Sequence, residues 1–63
     1  DLIGLYQGRF IAIECKPEGW VYKGTEREVA QLNYINLVRK HGGIALFATS
    51  WQSVLEHLNA ELT

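Results

Sequence analysis

The sequence has little of what would brace a small fold covalently or carry it to a membrane. One cysteine among 63 residues cannot form a disulfide within the chain, so either the protein works in a reducing compartment or Cys15 is a small buried hydrophobe. No apolar run approaches the roughly 18 to 20 residues of a membrane span, and no basic, apolar, small-residue leader opens the chain. A soluble intracellular protein without a membrane or disulfide partner is expected. Neither sign of charge is in excess: six Lys and Arg stand against seven Asp and Glu, a formal net charge of -1. No bulk field advertises a polyanion, and any nucleic-acid contact has to be local. Repeats and low-complexity tracts are missing, there is a single proline, and 48% of the residues are hydrophobic, which excludes a disordered tail. A chain of this size buries only about 60% of its unfolded surface, so residues 1 to 63 are expected to form one domain with a marginal core. The chain opens at Asp1 in a run that already reads as a strand, and an upstream segment is expected.

Two β-like runs, residues 1 to 6 and 9 to 15, flank Gln7-Gly8. Gly8 supplies the positive φ of a tight hairpin, while Gln7 is a poorer first turn residue than Asn or Asp. The stretch from 16 to 24, KPEGWVYKG, holds the only proline and two glycines and should be an irregular, unusually apolar loop. Thr25-Glu26-Arg27-Glu28 fits a capping box. The helix it opens should run to about His41, where Arg39, Lys40 and His41 suit the negative end of the dipole and Gly42-Gly43 can take a left-handed cap. Residues 44 to 48 form an unbroken apolar run, the mark of a strand covered on both faces. Strand, helix and strand in that order make a βαβ crossover, so the third strand should pair parallel to the second. Thr49 or Ser50 can cap a last helix on which Val54, Leu55, Leu58 and Leu62 recur at spacings of three and four. The expected fold is α/β, ββαβα, with a three-stranded mixed sheet.

Alternation along the second strand puts Phe10, Ala12, Glu14 and Lys16 on one face. With a turn at Gln7-Gly8, partner numbers in the hairpin sum to 15, which sets Asp1 opposite Glu14. Facing carboxylates repel across a strand pair, and a divalent cation would compensate, since Mg²⁺ is commonly held by one or two carboxylates with waters and phosphate oxygens. Lys16, about 7 Å further along the same face, is placed to contact a phosphate or an attacking water. At 100° per residue, Leu32, Ile35, Val38, Tyr34, Leu37 and Ala30 occupy an apolar helical arc, and Gln31 falls near its middle. A buried amide needs partners, and this one points towards the face bearing Glu14 and Lys16. Each feature alone has a plainer explanation: a solvated terminal acid, an edge ion pair worth little, an amide bonded to a loop carbonyl. Their conjunction is what points to chemistry.

Asp1, Glu14-Cys15-Lys16 and Gln31 in that order resemble the D…ExK…Q pattern of the PD-(D/E)XK nuclease superfamily. Within it the chain is similar to the VRR-NUC family, on Asp1-Leu2-Ile3-Gly4, Gly8-Arg9-Phe10, Ala12-Ile13-Glu14-Cys15-Lys16, and Gly42-Gly43 before the last strand. The resemblance covers residues 1 to about 50 and implies a restriction-endonuclease-like core, a VRR-NUC-like nuclease domain lacking that family's usual N-terminal helix. It also implies metal-dependent hydrolysis of DNA, with Asp1, Glu14 and the Cys15 backbone carbonyl as ligands of Mg²⁺ or Mn²⁺. Lys16 would stand beside the attacking water and Gln31 would position the site. An endonuclease of the replication and repair type follows, acting on branched or structured DNA as a homodimer, in the cytoplasm of a bacterial or phage-infected cell or in the nucleus.

Trp20, Tyr22, Lys23 and Arg27 can stack on bases and contact phosphates, with Lys23 and Arg27 as the nucleic-acid-binding candidates. Equally, Trp20 and Tyr22 can close the core or a dimer interface, to which Trp51 would add. His41 and His57 are too far apart to suggest zinc, and no base is indicated that would make Cys15 a nucleophile. Two other readings stand beside the nuclease: a catalytically silent nucleic-acid-binding or protein-interaction module of the same fold, and a small α/β interaction domain using Trp20, Tyr22 and Trp51.

Overall fold

The computed structural model describes residues 2 to 62. The chain runs β1 (Leu2–Tyr6), β2 (Arg9–Cys15), α1 (Glu26–Lys40), β3 (Ile44–Ala48) and α2 (Trp51–Leu62). These make a small ββαβα domain whose sheet has the order β1-β2-β3. Gln7 and Gly8 both take positive φ, 51° and 80°, as a type I′ turn demands. This tight turn fixes the antiparallel register Leu2↔Ile13, Ile3↔Ala12 and Tyr6↔Arg9. Partner numbers sum to 15 throughout, as expected. β3 joins β2 in parallel, from Ile11↔Ile44 to Cys15↔Ala48.

The ends of α1 are closed by its own neighbours in sequence. At the start, Thr25 Oγ1 accepts the Glu28 N–H while the Glu28 carboxylate accepts the Thr25 N–H, completing the capping box. At the finish, Gly42 N–H donates to the Arg39 carbonyl and Gly43 N–H to the Val38 carbonyl, with Gly42 at φ 87°. This is a Schellman cap, which satisfies carbonyls the helix leaves orphaned. Gly43 is also a point of close approach: a Cβ there would stand 2.6 Å from Val38 Cγ1 and 2.9 Å from the Phe10 carbonyl oxygen.

The sheet separates two cores. On one face Ala12 and Ala45 leave room for Ile35 and Val38 of α1, with Phe47 at the margin. On the other, Ile13, Ile44, Leu46 and Ala48 pack with Val54 of α2, supported by Ile11 and Leu58. β3 is thus covered on both faces, as its apolar run implied. Arg39 reaches back to donate from Nε to the Ala45 carbonyl, 2.8 Å away. Arg9 bonds the carbonyls of Gly42 and Glu61, tying β2 to the ends of both helices. α1 lies over β2 and β3 and α2 over β3, with Ile11 and Ile13 of β2 joining the α2-side core, and every described residue of β1 is exposed.

Three details depart from expectation. Ala30, Tyr34 and Leu37 of the apolar arc are exposed, as is Leu55 of α2. The covered stripe of α1 is narrower, comprising Glu28, Ile35 and Val38 with Gln31 and Leu32 half-buried, because α1 has no β1-side neighbour to bury its flank. Cys15 is exposed rather than a buried hydrophobe, being the last residue of its strand. Among the described residues no helix is long and apolar enough to cross a membrane.

Candidate functional site

The C-terminal end of β2, the loop after it and the first half of α1 converge on one side of the sheet. Glu14 continues the face of Ala12, so its side chain is turned under α1 and only 9% exposed. Gln31, one turn past the capped start of α1, projects from the sheet-facing stripe. Its Nε2 donates to Glu14 Oε2 over 3.4 Å, and its Oε1 accepts from Lys16 Nζ at 2.7 Å. The three side chains singled out from the sequence thus form one chain of hydrogen bonds, with the amide between ammonium and carboxylate. Beside it a cleft of about 500 Å³ is lined by Ile3, Glu14, Arg27, Ala30, Gln31 and Tyr34.

Aromatic rings flank the Lys16 end of this run. The turn from Pro17, closed by the Trp20 N–H on the Pro17 carbonyl and made by Gly19 at φ 83°, folds the chain back so that Trp20 meets Phe47 with ring centroids 4.9 Å apart. Tyr22 stands edge-on to Trp20. Lys16 Nζ lies 5.3 Å from the Trp20 ring and 5.6 Å from the Phe47 ring, within the range of cation–π attraction. Phe47 is the β3 partner of Glu14 in register, so this ring stands directly beside the carboxylate strand.

Sequence reasoning assigned Glu28 only the helix cap. The side chain is buried, 7% exposed, and its carboxylate accepts three hydrogen bonds: from the backbone N–H groups of Lys23 and Thr25 at Oε1 and from the Trp20 indole at Oε2. Hydrogen bonds to the charged form, led by that from Lys23, hold its pKa down at about 2. The only sequence signal for this second role is the Trp eight residues before the capping acid. That signal means nothing until the path of the loop is known.

The remaining candidates divide. Arg27 borders the Glu14 cleft, whereas Lys23 contributes its backbone N–H to Glu28 and is otherwise exposed. The Lys16 N–H bonds the Ala48 carbonyl, so by strand alternation the Cys15 carbonyl faces the opposite side, towards β1. Asp1 lies outside the described residues. Among the described residues no three or more His, Cys, Asp or Glu side chains converge on a common point, and His57 is paired instead with Glu61 at 3.3 Å. No protein-family model, curated protein or solved structure matches the chain.

Proposed function

We propose that this chain is the core of a metal-dependent DNA endonuclease of the PD-(D/E)XK superfamily, similar to the VRR-NUC family. The observation that carries the reading is the hydrogen-bonded run Glu14, Gln31, Lys16 on one face of the sheet beside an open cleft. A buried acid, an amide and an ammonium joined in that order suit an anionic substrate that brings its own charge and needs cations around it.

The donor chemistry fits Mg²⁺ or Mn²⁺. A carboxylate offers about four acceptor sites, and among the described residues Glu14 receives one long side-chain hydrogen bond. Oxygen donors are what hard cations take. Glu14 and the Cys15 carbonyl would hold the ion, with Asp1 added on the sequence argument alone. Bound there, the metal would polarise a phosphoryl oxygen and lower the pKa of a coordinated water. Hydrolysis adds water across one P–O bond: hydroxide goes to phosphorus and a proton to the departing oxygen. Lys16 supplies a fixed positive charge for the equatorial oxygens as charge builds there. Gln31 holds that ammonium at a set distance from the acid, and Arg27 at the cleft rim supplies a phosphate contact. The exposed apolar residues of β1 support the homodimer that symmetric cutting of branched DNA requires.

Nicking of supercoiled and branched DNA with Mn²⁺ tests the reading. Cleavage should depend on metal, vanish in Glu14→Ala and fall roughly 10² to 10³-fold in Lys16→Ala, with circular dichroism unchanged. Undiminished cleavage by Lys16→Ala would remove that residue from the mechanism, and no cleavage by the wild type with any divalent metal would end the nuclease reading. A non-catalytic interaction module is the second reading. It is favoured by the lodging of Lys16 against the Trp20 and Phe47 rings, which is also how a purely structural lysine is held.

A further inference from the structure

We infer that Glu28 is a positioning residue for Lys16: through the indole N–H of Trp20 it fixes the aromatic wall against which the Lys16 ammonium is held beside Gln31. The inference rests on the nuclease reading only for its consequence in catalysis. The geometry itself is independent of it.

A capping box asks for one reciprocal bond between the acid and the N-cap backbone. Glu28 does more. Oε1 serves the cap and the Lys23 N–H together, and Oε2 is given to Trp20 Nε1 at 2.8 Å. Those extra bonds fasten both ends of the segment that crosses the site, at residues 20 and 23, to the first turn of α1. Gln31, three residues further along the same helix, receives the Lys16 ammonium. One rigid helix therefore grips the lysine twice: directly through the Gln31 amide, and indirectly through the ring that Glu28 holds. Lysine is a flexible stem with a strongly hydrated head, and a single hydrogen bond would leave its head free to swing. Trp20 and Phe47 restrict that swing, and only Trp20 needs an anchor, because Phe47 belongs to a paired strand.

The test is competitive acetylation of the metal-free, DNA-free protein with a limiting amine-reactive ester, reading Lys16 against Lys40 in the same chain by mass spectrometry. Glu28→Gln, whose amide has a single oxygen for the two sets of donors, and Trp20→Phe, which keeps a ring but loses the N–H, should each raise Lys16 labelling several-fold. Thr25→Ala weakens the same helix cap without touching the indole bond. It should lower the melting temperature and leave Lys16 labelling as in the wild type. In nicking assays Glu28→Gln and Trp20→Phe should depress kcat with KM near the wild-type value. Unchanged Lys16 labelling in both variants, or an equal rise in Thr25→Ala, would overturn the positioning role. Should Glu28→Gln not fold, Trp20→Phe decides alone. A wild type that labels as expected but cuts nothing would remove the nuclease reading and keep the positioning of Lys16.

Discussion

β1 and β3 are strands of equal length at opposite edges of one sheet, and their compositions, LIGLY and IALFA, are nearly interchangeable. Their fates are not. Ile44 and Ala45 are fully buried, whereas Leu5 is 78% exposed and Ile3 63%. Burial here is a matter of where the two helices come to rest, and neither rests over β1. The strand edges differ too: Arg39 donates to the Ala45 carbonyl on β3, while among the described residues no side chain is bonded to the backbone of β1. An edge strand without charge, proline, bulge or cover is a template for further pairing. Hydrophobic content alone therefore marks a strand without saying whether it is core or contact surface.

Truncation at the covered edge should have the largest effect. Ile44→Ala removes a fully buried side chain from the α2-side core and should cost about 2 to 5 kcal/mol, measured by chemical denaturation; a loss no greater than at β1 would erase the contrast. Gly43→Ala comes next, since the new methyl would meet Val38 Cγ1 and the Phe10 carbonyl within 3 Å. Overpacking of that kind costs roughly 1 to 3 kcal/mol, and an unchanged melting temperature would show that β3 can slide from under the cap. Acid probes the attachment of the loop to α1. The Glu28 pKa falls from 4.5 in its ordinary setting to about 2 when folded, so its contribution is complete above the ordinary value and is lost as pH drops from there towards 2. Melts across that range should show Glu28→Gln less sensitive to acid than the wild type, and parallel curves would assign the acid loss elsewhere. The smallest effect belongs to β1: Leu5→Thr should change stability by no more than about 0.5 kcal/mol. Sedimentation equilibrium on the same variant sharpens the comparison, because weaker self-association would identify β1 as contact surface and an unchanged monomer would leave it idle.

Most of the architecture was legible because its signals are local. The Gln7-Gly8 turn sets the register of the whole hairpin, Thr25 and Glu28 announce the start of α1, and Gly42-Gly43 mark its end. The convergence of Glu14, Lys16 and Gln31 was legible for a related reason: strand alternation and helical spacing place the residues once the crossover is accepted. The contacts of Trp20 with Phe47 and with Glu28 were not, since they depend on the path of an irregular loop that no periodicity describes. Phe47 was hidden in an unbroken apolar run, where nothing separates a wall of the site from ordinary core. The exposure of Tyr34 and Leu37 escaped for the opposite reason: a helical wheel shows which residues share a face, and only the sheet decides how wide a face it can cover.

The parallel register has a kinetic meaning. β1 and β2 meet across a two-residue turn, and α1 carries signals for both its ends within a few residues of them, so each can form on the microsecond scale typical of hairpins and helices. Pairing Ile11 with Ile44, 33 positions apart, requires a long loop to close first, and such non-local contacts slow folding. Until β3 docks, β2 presents an open edge on that side and β1 on the other. The interval between hairpin formation and crossover closure is therefore when this chain is most exposed to intermolecular strand pairing.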